Sequence, residues 1–231
     1  MKPKATSISV RRQIAYGILI IGVLGLLGLP TSASVISIND TVYTSTNATI
    51  IPTTATDWWI PYRTRKSGGT AILSITYTSN YPDTTGNPKF TYTNGTSPAA
   101  ATDQESYYAT TWGDPGDPIV TTISVPAGSG QAILWAACSD NQALVPAELK
   151  ANFSGAGEFS TTSTFLYGAV HQFAIDYTSS QAQNLVLSLT PGKNNLGMYG
   201  VIFTVVPEPS AAILLATGLG GLLYGARRKR R

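Results

Sequence analysis

Cysteine, histidine and charge are all scarce in this sequence. Cys138 and His171 are the only residues of their types in 231, and charged residues make up 12%. A single cysteine excludes an internal disulfide, so stability must come from a hydrophobic core, which a body of this size can build. A single histidine excludes a metal site made of several imidazoles, and no Cys/His cluster stands in its place. There is no G-x-S-x-G context for a serine nucleophile, no Gly-rich phosphate loop and no dinucleotide fingerprint, so neither a catalytic centre nor a cofactor is expected. Cys138 ends the apolar run Ala132-Ile133-Leu134-Trp135-Ala136-Ala137 and reads as a small buried side chain; an exposed thiol pairing between chains is the alternative. His171, within Ala169-Val170-His171-Gln172-Phe173, reads as a hydrogen-bonded strand residue rather than a base.

Helical periodicity is also missing between Ser34 and Val206, where β-branched and aromatic residues abound. Alternation marks Val35-Ile36-Ser37-Ile38, Ile72 to Tyr77, Ile119 to Val125, Phe173 to Tyr177, Leu185 to Leu189 and Tyr199 to Val205. Ser67-Gly68-Gly69, Asn94-Gly95, Pro126-Ala127-Gly128 and Pro191-Gly192-Lys193-Asn194 supply turns between such runs. Short strands at this spacing predict an all-β fold, a single β-sandwich or jelly-roll ectodomain over residues 34–205. No internal repeat is visible.

The cations that are present sit mostly at the two ends. Lys2, Lys4, Arg11 and Arg12 precede an apolar stretch from Ile14 to Leu29; Pro30 ends it, and Thr31-Ser32-Ala33 offers small residues before Ser34. That is the build of a secretory signal peptide over residues 1–33, cut between Ala33 and Ser34, and it predicts a Sec-type export machinery as partner. At the other end Val206-Pro207-Glu208-Pro209-Ser210 is followed by the uncharged run Ala211 to Ala226 and then Arg227-Arg228-Lys229-Arg230-Arg231. Two prolines stop any strand or helix at the motif. The run predicts a transmembrane helix over residues 211–226 of about 24 Å, short of the roughly 30 Å hydrocarbon core but helped by snorkelling arginines. Both basic ends favour the cytoplasm, which places the body outside it, anchored at the inner membrane. Once these ends are set aside, Arg63, Arg65, Lys66, Lys89, Lys150 and Lys193 are the only cations of residues 34–206, fewer than the acids there. The body is mildly acidic, which argues against nucleic acid as a partner.

This tripartite tail resembles the PEP-CTERM sorting signal of Gram-negative bacteria, carried here by Pro207-Glu208-Pro209, the Gly/Leu-rich run and the terminal Arg/Lys cluster. The resemblance implies an exosortase as partner, processing near the motif, and a mature form at the cell surface or outside the cell. More weakly, Thr56-Asp57-Trp58-Trp59, Arg65-Lys66-Ser67-Gly68-Gly69 and Phe90-Thr91-Tyr92-Thr93-Asn94-Gly95-Thr96 look like parts of jelly-roll ectodomains of bacterial surface and carbohydrate-associated proteins. Where those carry a Leu-Ser-Asp element this chain reads Ala137-Cys138-Ser139-Asp140-Asn141, so no ligand residues carry over.

Within the body, aromatics are the candidate contacts. Trp58-Trp59-Ile60-Pro61-Tyr62 stands beside Arg63 and Arg65, and Tyr107-Tyr108 precede Trp112. On a strand Trp58 and Trp59 face opposite sides, leaving one to the core and one outward. Outward aromatics offer sugar rings a surface for their C–H faces, so Trp58, Trp59 and Tyr62 are candidate glycan contacts; the alternative is that all serve the core. Asp114-Pro115-Gly116-Asp117 reads as a solvated turn in preference to a Ca²⁺ loop. The expectation is an exported, tail-sorted surface or matrix protein whose non-catalytic body associates with exopolysaccharide. A secreted carbohydrate-active hydrolase on the same fold and a purely structural component are the alternatives.

Overall fold

The computed structural model describes residues 34–206 except 44–47, 78–87, 106–108, 112–116, 139–144, 155, 166–168 and 193–195. The predicted signal peptide with Ala33, the motif from Pro207 to Ser210, the predicted membrane helix and the Arg227–Arg231 cluster lie outside the described residues, as do Tyr107, Tyr108, Trp112 and Asp114. Among the described residues there are fifteen strands, numbered along the chain, and no helix. The large sheet runs β1 (Val35–Tyr43), β13 (Val170–Ser179), β10 (Gly128–Cys138), β15 (Leu196–Val206), β3 (Asp57–Ile60) and β4 (Thr64–Arg65), with β8 (Ala109–Thr111) also on β15. A second sheet runs β12 (Ala156–Phe165), β11 (Val145–Phe153), β14 (Gln183–Pro191), β9 (Ile119–Val125) and β5 (Ile72–Thr76). Both are antiparallel throughout. A small third sheet joins β2 (Ala48–Ile50), β6 (Lys89–Thr93) and β7 (Ala100–Glu105), with β2 and β6 parallel.

The two large sheets face each other as a β-sandwich, and period-two alternation fills the space between them. From the second sheet Ile119, Ile123, Leu185, Leu187, Leu189 and Leu149 point inward; Ile36, Leu134, Phe173, Ile175, Val201 and Phe203 meet them from the large sheet. Each such side chain contributes about 1.5–3 kcal/mol on burial. Thr121, also fully buried on β9, donates its hydroxyl to Met198 Sδ at 3.5 Å, which softens the cost of a polar group there.

A plain two-layer sandwich does not account for the central strands. β10 and β15 are apolar on both faces, so the outer face of the large sheet needs a cover. Trp58, Ile60, Trp135, Val170, Tyr199 and Ile202 form a second core there with Phe90 and Tyr92 of the small sheet. Phe90 meets Trp135 edge-on at 5.4 Å and Tyr92 lies 4.9 Å from Trp58. A β-bulge serves this second core. Trp135 pairs with Gly200 and Ala136 with Met198, which leaves Tyr199 as the extra residue. The bulge turns both Tyr199 and Gly200 toward the small sheet. A Cβ on Gly200 would sit 3.0 Å from Phe90 Cζ, so the glycine makes room for the ring.

Candidate functional site

The predicted aromatic site is built on the β3–β4 hairpin at the edge of the large sheet, where it meets β5 at the edge of the second. Its foundation is a buried carboxylate. Asp57 is fully buried; Oδ1 accepts the Trp58 N–H at 2.8 Å and Oδ2 accepts the Ile72 N–H at 2.8 Å. Arg65 Nη2 lies 3.7 Å from Oδ2 and donates to the carbonyls of Gly69 at 2.8 Å and Ile72 at 3.3 Å. A buried charge persists only when paired and hydrogen-bonded in this way. Gly69 is what lets the carboxylate in, since a Cβ there would fall 1.9 Å from Asp57 Oδ1. The carboxylate and guanidinium therefore tie the hairpin to the start of β5.

On that foundation the two tryptophans separate. Trp58 pairs with Ile202 and is 2% exposed in the second core, so it offers no face to a ligand. Its place among the candidate contacts is corrected accordingly: the small sheet covers it. Trp59 points to the other side, half-buried at the margin of the main core, with the Arg65 guanidinium 4.8 Å from its ring centroid. A cation over an aromatic face fixes the ring's attitude. Tyr62 stands at the hairpin tip with φ of 56° and 39% exposure, and its ring meets Tyr77 edge-on at 5.5 Å. Partial burial, with the hydrogen bond and charge of Tyr77 adding to it, raises the Tyr62 phenol well above its ordinary value. The hydroxyl therefore keeps its proton at any physiological pH. Tyr77, which continues the alternation of Ile72–Thr76 by one residue, is the member of this group that sequence reading missed as a contact.

The remaining candidates fall elsewhere. Val206 ends β15 and Ser34 precedes β1. Cys138 is buried at the end of β10, and Asp117 is exposed just before β9. His171 lies on β13, buried against Phe165 at 3.9 Å between ring centroids, with Nδ1 2.9 Å from Asp40 Oδ2. Ser163 Oγ donates to the same Asp40 oxygen at 2.5 Å. Serine, aspartate and histidine thus meet, but in the order Ser–Asp–His. A serine nucleophile needs its proton on the imidazole, whereas here both neighbours bind the carboxylate and His171 Nε2 is buried without a partner. The trio is an inter-sheet clip, joining β12 of one sheet to β1 and β13 of the other. Among the described residues no three acids, histidines or cysteines group as metal ligands.

No family model matches the chain, and no curated protein matches it. Among solved structures it is similar to the enzymatically active domain of bacteriophage CBA120 tailspike protein 4, at 10% identity and a TM-score of 0.34 over 76% of this chain and 20% of that one. It is also similar to TmCBM61 in complex with β-1,4-galactotriose, at 13% identity and a TM-score of 0.20 over 42% of this chain and 73% of that one. The chain spans about a fifth of the length of the tailspike domain. At these values neither neighbour says where a ligand would sit on this chain.

Proposed function

We propose that this chain is an exported surface or extracellular-matrix protein of a Gram-negative bacterium, sorted by its PEP-CTERM tail and processed by an exosortase. Its jelly-roll-like, non-catalytic body associates with exopolysaccharide through the hairpin aromatics. One observation supports the reading: the described strands run from Val35 to Val206, between the two expected processing sites. Loss of residues 1–33 and of everything after the motif's first residue would remove none of the described strands. Trp59, Tyr62 and Tyr77 supply apolar ring surface, and the Asp57–Arg65 tie holds the hairpin in place for a sugar chain. A hydrolase would need two carboxylates about 5–9.5 Å apart across a cleft; Asp57 is buried beneath the hairpin and Asp40 is taken up by Ser163 and His171.

Two measurements test this. Intact mass of the protein from its native cells should lack residues before Ser34 and the tail, and replacement of Pro207-Glu208-Pro209 by three alanines should block tail removal. A tail retained in both forms would sink the sorting reading. Binding to polysaccharide extracted from the same cells should weaken at least tenfold in Trp59→Ala and Tyr62→Ala together, about 1.4 kcal/mol. Unchanged binding with an unchanged melting curve would rule out the hairpin as the contact.

A further inference from the structure

The chain enters and leaves the body at the same end of the large sheet. Val35 pairs with Thr178, Thr178 with Ser129, and Ser129 with Val206, so a single row across four strands holds both exits. With about 4.8 Å between strands, the exits stand roughly 14 Å apart. Ser129 Oγ and Thr178 Oγ1 share a hydrogen bond of 3.0 Å in the middle of the row. At its ends Val35 and Val206 are each 53% exposed. Pairing continues to Val206 itself, and Val205 N–H donates to Thr56 Oγ1 at 2.9 Å, so the sheet holds the chain up to the point of exit. The turns beside the row are exposed and uncharged: Pro126-Ala127 between β9 and β10, Ser180-Gln181 between β13 and β14. The exposed acid Asp117 lies before β9, at the opposite end of that strand from Val125.

We infer, resting on the reading of residues 211–226 as a membrane span, that this end of the sandwich is a docking surface for the phospholipid headgroups while the tail is in place. Only Pro207, Glu208, Pro209 and Ser210 separate Val206 from that run, and the five steps from Val206 to Ala211 reach about 18 Å at most. The headgroup layer takes up roughly 5–8 Å of that on one side of the hydrocarbon. At most about 10–13 Å then remains even at full extension, well under the length of the sandwich strands, so the exit row is held close to the headgroup layer. Its surface chemistry suits the place. Exposed valines gain by leaving water, and turns without carboxylates escape repulsion by anionic lipid. Asp176, two rows further in, is occupied by Gln131 Nε2 at 2.7 Å. The foot of the hairpin adjoins the row at Thr56, while Trp59, paired with Val201, and the hairpin tip lie further from it.

The test uses the full chain reconstituted into vesicles of phosphatidylethanolamine with phosphatidylglycerol. A fluorophore is placed on cysteine in Ala127→Cys, Ser180→Cys or Asp117→Cys, and the native chain with its buried Cys138 gives the background. Brominated lipid should quench the first two probes several-fold more than the third, and aqueous iodide should show the reverse order. A Gly/Ser insertion of about 20 residues between Val206 and Pro207, some 25 Å in r.m.s. length, should bring the first two to the level of the third. Equal quenching at all three positions in protein that resists alkaline carbonate would overturn docking alone. Release of the protein by carbonate would overturn the membrane span, and docking with it.

Discussion

Tyr177 buries a hydroxyl that finds no partner, packed between the ring of Phe203 at 6.0 Å and the backbone beside Gly130. Burial pushes its phenol up to about 12. The folded state therefore holds the proton more tightly than the unfolded chain, whose phenols titrate near 10. The resulting stability is fully present below pH 10 and is lost as pH rises from about 10 through 12, by roughly 2 kcal/mol for this group. Tyr62 and Tyr92 shift in the same direction, both chiefly through burial, and add to the loss. Tyr177→Phe should leave stability at pH 7 unchanged or raise it by up to about 1 kcal/mol. It should also reduce the alkaline loss. Urea unfolding of both proteins at neutral and alkaline pH checks this, and an identical alkaline loss would refute it. Gly69 makes a sharper case. Gly69→Ala forces a methyl into the Asp57 carboxylate, displacing the acceptor of two backbone N–H groups, and should cost about 3 kcal/mol. Equilibrium unfolding would show the loss, with Ser67→Ala in the same turn as an inert control.

Among the elements, β15 has the heaviest duties. It pairs with β10, β3 and β8, feeds both cores, and carries the bulge that makes its middle face the small sheet. Gly200→Val should overpack against Phe90 and cost about 1–3 kcal/mol. Phe90→Leu in the same chain should recover part of that, because the two sites touch and their effects do not add. A double-mutant cycle by thermal unfolding measures the coupling; strictly additive losses would mean that the glycine is not there for the ring. β12 behaves in the opposite way. As an edge strand it carries Ser160-Thr161-Thr162-Ser163-Thr164, polar on both faces, and the alternation that exposes β9 and β14 to sequence reading is absent. β1, the edge of the large sheet, turns Asp40 inward to Ser163 and His171, a charge that also discourages pairing with a second edge.

For the whole molecule, the position of β15 sets an order of events. A strand at the centre of the large sheet lies at the C-terminal end of the body, so neither core can close before Val206 has emerged. Removal of residues 207–231 should leave the melting temperature of the body unchanged within a degree or so, since none of the described strands is lost. Removal from Leu196 onward should abolish the cooperative transition, because it empties the middle of the large sheet and part of both cores. Scanning calorimetry distinguishes the two, and a cooperative transition in the shorter form would show that β15 is dispensable.

Much of this was local and therefore legible. Alternation in β9 and β14, the turn residues Gly68 and Gly128 with positive φ, and the chemistry of the two chain ends depend on neighbours a few residues apart. They determined an all-β body between two segments of different character. Strand geometry likewise determined that Trp58 and Trp59 part company. Only the tertiary structure decided which of them enters the core, because that depends on where the small sheet settles. It also brought Tyr77 to Tyr62, buried Asp57 beneath Arg65, and joined Asp40 to His171 across 131 residues. Pairing between distant strands fixes such meetings, and composition along the chain leaves no trace of it. The two exits share an end for the same reason: register across β1, β13, β10 and β15 places them there.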